Sequence, residues 1–249
     1  MKLKYGHLIL IVIFLTLGRS GYASDLLVFA GAGMRIPLIE LGENFTAQTG
    51  IRVVYDFDGS GRLGGKVLMG VKPDLFIPGS DKWALKLKDE GYVRECFSIA
   101  YHTPVIIRPK GNNKVKSLND LSNKKNKIAL GDRKACAIGR NNQRMFKEVG
   151  LLPVEMNVVA RGLTVKQLVQ WVESGVVDAS IVWRADAVQS DRVSTIEIPS
   201  DINLIDRIPT CLMTQLNDPQ SAIKFWNYLR GNGHEIFAKH GFQTLNIKL

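Results

Sequence analysis

Four short stretches of this chain pair small residues with an expected helix start, and those are the places where the sequence could do chemistry. They are Gly31-Ala32-Gly33, Gly59-Ser60-Gly61, Ala135-Cys136-Ala137-Ile138-Gly139 and Leu163-Thr164-Val165. A helix start leaves its first N–H groups without partners, and small residues let a ligand approach the backbone. The helix macrodipole adds about 0.3–1 kcal/mol per helix toward a nearby negative charge. Several such starts around one anion can replace its hydration shell without a buried cation. None of the four runs into the Gly-Lys-Ser/Thr ending of a nucleotide phosphate loop.

Other reactive residue types are sparse. Cys136 stands at a helix start, where a lowered thiol pKa is expected. Three readings of it stay open: a thiol that touches a thiophilic ligand, a small buried hydrophobe, or a disulfide partner of Cys211 or Cys96. Nucleophilic catalysis would need a base. Beyond residue 23 the histidines are His102, His234 and His240, and carboxylates at paired motif spacing are absent. Binding without catalysis is therefore expected. Arg140, Arg161 and Arg184 flank the later turns, where each is a candidate donor or a member of a surface ion pair. The cysteine spacing matches no zinc or haem motif.

The turns are positioned by alternating strands and helices. Leu26–Ala30 is a continuous apolar run, as a strand buried on both faces requires. Pro37 suits the first turn of the next helix, with Leu38, Leu41 and Phe45 at helical spacing and Gly50 at its end. Strands are expected at 51–57, 74–77, 128–130, 154–159, 179–182, 193–198 and 208–213, and one more over Tyr101–Arg108 despite Pro104. Ser80 or Asp81 should cap the helix that ends at Glu90, Thr164 the helix that ends before Gly175, and another helix is expected over Arg140–Val149. Two helices should close the chain, one through Phe225, Trp226 and Leu229, the other through Ile236 and Phe237. This alternation argues an α/β architecture with largely parallel sheets, in which ligands bind beyond the carboxyl ends of strands.

The whole chain bounds the setting. Lys2 and Lys4 precede an apolar run over 8–17, and Gly21-Tyr22-Ala23 offers the small residues of an export-signal cleavage site after Ala23. Ten apolar residues are too few to span a bilayer, which takes about twenty. No cysteine stands at the cleavage point to carry a lipid. Residues 1–23 hold Lys2, Lys4 and Arg19 but no acid, so losing them takes the net charge from +10 to +7. A positive field favours encounter with anions. The small cluster Lys124, Lys125, Lys127 lacks the interleaved aromatics of a nucleic-acid surface, so no nucleic-acid partner is expected.

Several motifs resemble the molybdate-binding proteins of bacterial ABC transporters. In the first half these are Phe29-Ala30-Gly31-Ala32-Gly33, Gly59-Ser60-Gly61-Arg62-Leu63, Asp74-Leu75-Phe76-Ile77 and Ser80-Asp81-Lys82-Trp83. In the second they are Ser117-Leu118-Asn119-Asp120-Leu121, Ile128-Ala129-Leu130-Gly131-Asp132, Val172-Glu173-Ser174-Gly175 with Asp178-Ala179, and Ile181-Val182-Trp183. Phe225 to Phe242 is similar to the family's closing helices. The resemblance implies an α/β fold of the periplasmic binding protein type II, with two Rossmann-like lobes of mixed, mostly parallel sheets joined by two crossover strands. It places lobe 1 at 24–102 plus 210–249 and lobe 2 at 103–209, with crossings near Tyr101–Pro104 and Ile208–Cys211.

Carried over residue by residue, the resemblance implies a ligand set of Ala32, Gly33, Ser60, Gly61, Cys136, Ala137, Val165 and Trp183. Gly33 stands where the family has a serine and Trp183 where it has a tyrosine; an indole N–H still donates but cannot accept. The implied function is capture of a small oxyanion of the molybdate or tungstate class by an exported, monomeric protein. Delivery would be to an ABC transporter permease, with no cofactor and no metal other than that inside the oxyanion. Alternatives are a periplasmic ligand sensor, or a binder of a thiophilic oxyanion through Cys136.

Overall fold

The computed structural model describes residues 25–134, 136–151 and 156–244. The expected export signal at 1–23, with its cleavage after Ala23, and the first residues of the strand expected at 154–159 lie outside them.

The chain opens with β1 (Leu26–Gly31), whose apolar run is buried almost throughout, and a short 3-10 turn at Ala32–Met34 leads into α1 (Arg35–Thr49). Gly50 ends that helix at φ 73°, a left-handed backbone that suits glycine. Then come β2 (Val53–Asp58), α2 (Ser60–Leu68), β3 (Leu75–Ile77) and α3 (Asp81–Asp89). Ser80 holds the N-cap position of α3 without a side-chain cap bond, and Asp81 instead pairs with Arg207 at 2.7 Å.

A single continuous strand over Tyr101–Arg108 was the expectation. The structure corrects it to two strands, β4 (Val93–His102) and β5 (Pro104–Pro109), in two different sheets. Pro104 has no N–H and is tolerated as the first residue of a strand, so the passage between sheets is one residue long, at Thr103. The first part of β4 escaped the sequence reading because Arg94, Glu95 and Cys96 in succession are exposed, which breaks the alternation of a half-buried strand.

The second sheet gathers β5, β6 (Ile128–Gly131), β7 (Val158–Gly162), β8 (Ala179–Trp183) and β9 (Val193–Glu197), with α4 (Ala137–Glu148), α5 (Val165–Glu173) and the short α6 (Arg184–Ala187) between them. The chain returns to the first sheet as β10 (Asp206–Met213) and ends with α7 (Pro219–Lys239). Where two closing helices were expected there is one, continuous through Gly231 and Gly233. A side chain on Gly233 would come within 2.6 Å of Ile99, so this glycine lets the helix lie close against β4.

Both sheets repeat one order. The first runs β2-β1-β3-β10-β4 and the second β7-β6-β8-β5-β9. In each, three parallel strands are followed by a strand that has crossed from the other sheet and pairs antiparallel on both sides. The sheets are mixed as expected, but parallel pairs make up half of the pairings rather than most, because β10 and β5 each contribute two antiparallel contacts. Cys96 on β4 and Cys211 on β10 face each other across the strand pair and form a disulfide. Apolar clusters cover both faces of the first sheet, and a third surrounds β5, β6 and β8. No helix among the described residues is long and apolar enough to cross a membrane.

Candidate anion-binding site

In a sheet ordered 2-1-3, the crevice beyond the carboxyl ends opens between the first and third strands. The turns after β1 and β3, and after β6 and β8, are therefore the ones that border it here.

On the first sheet these turns are drawn together by glycines. A methyl on Gly31 would lie 2.8 Å from Met34 Cε and 3.4 Å from the Gly79 amide nitrogen, so the two turns touch only because no side chain intervenes. Ala32 and Gly33 follow on the exposed side. Ser60 is the first residue of α2, and its Oγ accepts a hydrogen bond from the Gly79 N–H at 3.0 Å, which leaves its own O–H free to donate. A methyl on Gly79 would sit 3.8 Å from Ser60 Oγ and 3.7 Å from His102 Nε2, and one on Gly33 would sit 3.9 Å from His102 Cε1. His102 ends β4, and its ring lies 5.0 Å from that of Trp183 and 5.5 Å from Phe242. Gly33, Ser60 and Trp183 are thus gathered around His102. Gly61 turns its open side the other way, to the Trp83 indole 3.5 Å off.

His102 and Gly79 were not in the sequence-derived ligand set. Pro78-Gly79-Ser80 is a fifth strand-to-helix turn with the same small-residue design, so its signal was present. In the sequence His102 stands out only as one of three histidines beyond residue 23. Burial alone pushes its pKa down to about 4, which keeps the ring neutral at ordinary pH.

On the second sheet, Thr164 caps α5 as expected, in a full capping box. Its hydroxyl accepts from the Gln167 N–H, and Gln167 Oε1 accepts from the N–H groups of Leu163 and Thr164. The box leaves the Val165 N–H unused. Cys136 holds the N-cap position of α4, ahead of the exposed Ala137. The helix starts three residues before the expected Arg140. α5 packs against α6, and Asp186 in α6 adds slightly to the rise of the Cys136 pKa while Lys166 at the start of α5 opposes the rise of its own. Desolvation raises the Asp186 pKa to about 6. Trp183, just before α6, is the link from this group to His102.

Cys136 requires a correction. Its thiol pKa is raised, not lowered: burial outweighs the nearby amides of Gly139 and Ile138. It is a free, buried cysteine, since Cys96 and Cys211 are bonded to each other. The flanking arginines have other occupations in part. Arg184 pairs with Glu197, and Arg140 donates to the Lys134 carbonyl at 3.0 Å, while Arg161 is exposed. Among the described residues no group of three or more His, Cys, Asp or Glu is placed to hold a metal ion. Two hollows, of about 460 Å³ beside α4 and about 520 Å³ between α1 and β2, are lined by none of the sequence-derived ligand residues.

Comparison with known proteins gives this arrangement its context. Residues 26–243 match the family of bacterial extracellular solute-binding proteins. A Haemophilus influenzae protein named as a binding protein is 28% identical over 224 residues, 88% of this chain and 91% of that protein. The molybdate-binding protein ModA of Escherichia coli is 24% identical over 228 residues, 86% of this chain and 87% of its own. Among solved structures, the substrate-binding domain assigned to a molybdenum ABC transporter from Clostridium difficile superposes with a TM-score of 0.79 at 21% identity, covering 89% of this chain and 99% of that one. The resemblance read from the motifs is therefore met by relatives along the whole described chain, and the fold is the one it implied. These relatives are binding proteins, not enzymes, in line with capture without chemistry. The chain belongs to the bacterial extracellular solute-binding proteins.

Proposed function

We propose that this protein captures a small oxyanion of the molybdate or tungstate class in a cleft between its two halves and delivers it to the permease of an ABC transporter. The protein is exported, with its leader cleaved after Ala23, and acts as a monomer without a nucleic-acid partner. One lobe is built on 24–102 and 206–249, because all of β10 pairs within the first sheet and so moves the expected 209/210 boundary to Asp206, and the other on 103–205; ligand capture closes them by hinge motion. Ser60, Gly33 and Ala32 serve from the first lobe, and Ala137, Val165 and Trp183 from the second. Cys136 serves by seating the start of α4, so that the Ala137 N–H is presented, rather than by offering its buried thiol.

The observation that carries this reading is the convergence of Ser60 Oγ, Gly33 and the turn at Gly79 around the His102 ring, which lies against Trp183. Ser60 Oγ already accepts one hydrogen bond, and the open groups around it are donors or backbone, the lining that a fully deprotonated anion needs. The relatives named for molybdate support the class of ligand. Thermal shift of the purified mature protein against molybdate, tungstate, sulfate, phosphate and divalent cations tests it. A rise in Tm with one or more oxyanions is expected; a response to cations alone would overturn the reading.

A further inference from the structure

The polar side chain best placed to read the ligand is His102. It is 7% exposed and stands between the two halves of the molecule, facing the open sides of Gly33 and Gly79 and the ring of Trp183. Yet its ring has no hydrogen-bond partner among the described residues, and Nδ1 is sealed from solvent. A buried polar atom left unpaired is destabilising, so such a group in a native structure needs a reason. Nε2 points to the open side of Gly79, the same spot that Ser60 Oγ flanks. Two polar atoms therefore converge where glycine leaves out a side chain.

The tautomer follows from the same geometry. A buried N–H without an acceptor is rarer in proteins than an under-used acceptor. Nδ1, with no partner at all, carries the lone pair, and Nε2 carries the hydrogen. We propose that His102 is a direct ligand contact in its neutral form, donating Nε2–H to the captured anion while the Trp183 ring holds it from the other half. The proposal rests on the cleft reading above and adds to it a side-chain donor that the sequence-derived set lacks.

The charged groups on the elements around the ring are otherwise engaged. Asp206, opposite His102 on β10, is held by Asn141 and lies 3.6 Å from Arg144. Arg184 pairs with Glu197, Asp81 with Arg207, Glu40 with Lys239 and His240, and Arg35 lies over the Phe57 ring. Asp186 is coupled electrostatically to Lys166 and Cys136. None of them acts on the His102 ring, whose titration is governed by burial alone. The contact should therefore keep its strength from about pH 5.5 to pH 8.

Two measurements test this. The imidazole nitrogens of the wild-type protein are followed by two-bond ¹H–¹⁵N NMR during titration with molybdate, or with whichever oxyanion the thermal-shift panel selects, and assigned through H102Q. The expected spectrum is a neutral His102 with its hydrogen on Nε2, and an Nε2 resonance that moves on binding while Nδ1 stays unprotonated. Second, H102F should bind that oxyanion about tenfold or more weakly, and H102Q, which keeps an N–H, within about threefold of wild type, both at unchanged pH dependence. A protein that binds the anion while the His102 nitrogens stay still, or an H102F variant of wild-type affinity, overturns the role of His102 and leaves the cleft reading standing. Failure of the wild type to bind any oxyanion overturns both. The spectral arm needs no folded variant beyond an assignment.

Discussion

At the residue scale, what a side chain offers a ligand depends on what it has already bonded. Ser60 Oγ accepts from the Gly79 N–H, so only its hydrogen remains for the cleft. Ser60→Ala removes that donor and also leaves the Gly79 amide without its partner. Oxyanion affinity should fall by about 1–3 kcal/mol, readable by calorimetric titration; unchanged affinity would remove Ser60 from the site. Cys136 shows the same dependence with the opposite outcome. From its position alone the thiol should be acidic, whereas burial makes it a weaker acid. Iodoacetamide should label it slowly in the native protein and rapidly in urea, as intact-mass spectrometry under non-reducing conditions would show. Fast native labelling would contradict the burial. The turn residues were legible because small-residue turns before helices are a local pattern. His102 was not, because only the meeting of two sheets makes a histidine at a strand end a neighbour of Gly33 and Trp183.

At the element scale, α7 shows why a helix can run through residues that read as breakers. Gly231 and Gly233 stand between the two helices expected there, and each glycine costs about 0.8–1 kcal/mol relative to alanine inside a helix. Burial of Phe225, Trp226, Leu229 and Phe237 along one helix outweighs that cost. The two glycines differ in their surroundings: a methyl on Gly231 meets nothing within 4 Å, whereas one on Gly233 meets Ile99 at 2.6 Å. Gly231→Ala should therefore stabilise the protein by about 0.5–1 kcal/mol, and Gly233→Ala should destabilise it by about 1–3 kcal/mol, measured by urea unfolding. Equal effects of the two substitutions would mean that α7 does not lie against β4 as described. The element types were otherwise readable from periodicity, from Gly50 to the Thr164 cap. The start of β4 was not, because pairing with β10 and the Cys96–Cys211 bond hold an exposed strand that its own residues do not announce.

At the scale of the whole molecule, two desolvated titrating groups, the buried His102 and the half-buried Asp186, act against each other. His102 has a folded pKa of about 4 against an ordinary 6.5, so the stability it contributes is complete above pH 6.5 and is lost as pH falls through 4. The loss is on the order of 3 kcal/mol. Asp186, raised from 3.8 to about 6, does the reverse: its contribution is complete in acid and is lost as pH rises through 6. From these two groups the wild type should show a shallow pH profile between 4 and 6.5. Asp186→Asn removes the compensation, and unfolding free energy in that variant should fall by about 2–3 kcal/mol on acidification across this window. A flat profile in the variant would show that His102 is not buried in its neutral form.

The order of strands and helices, the small residues at their turns and the resemblance of the motifs were all decided locally along the chain, because periodicity, caps and glycine placement act within a few residues of one another. Tertiary structure alone decided that half of the strand pairs are antiparallel, that Cys96 bonds Cys211, and that His102 lies unpartnered at the junction. Each of these depends on residues far apart in sequence, or on a burial that no local pattern encodes. A thiol's acidity or a histidine's charge follows from the water it has lost, and that is set by packing.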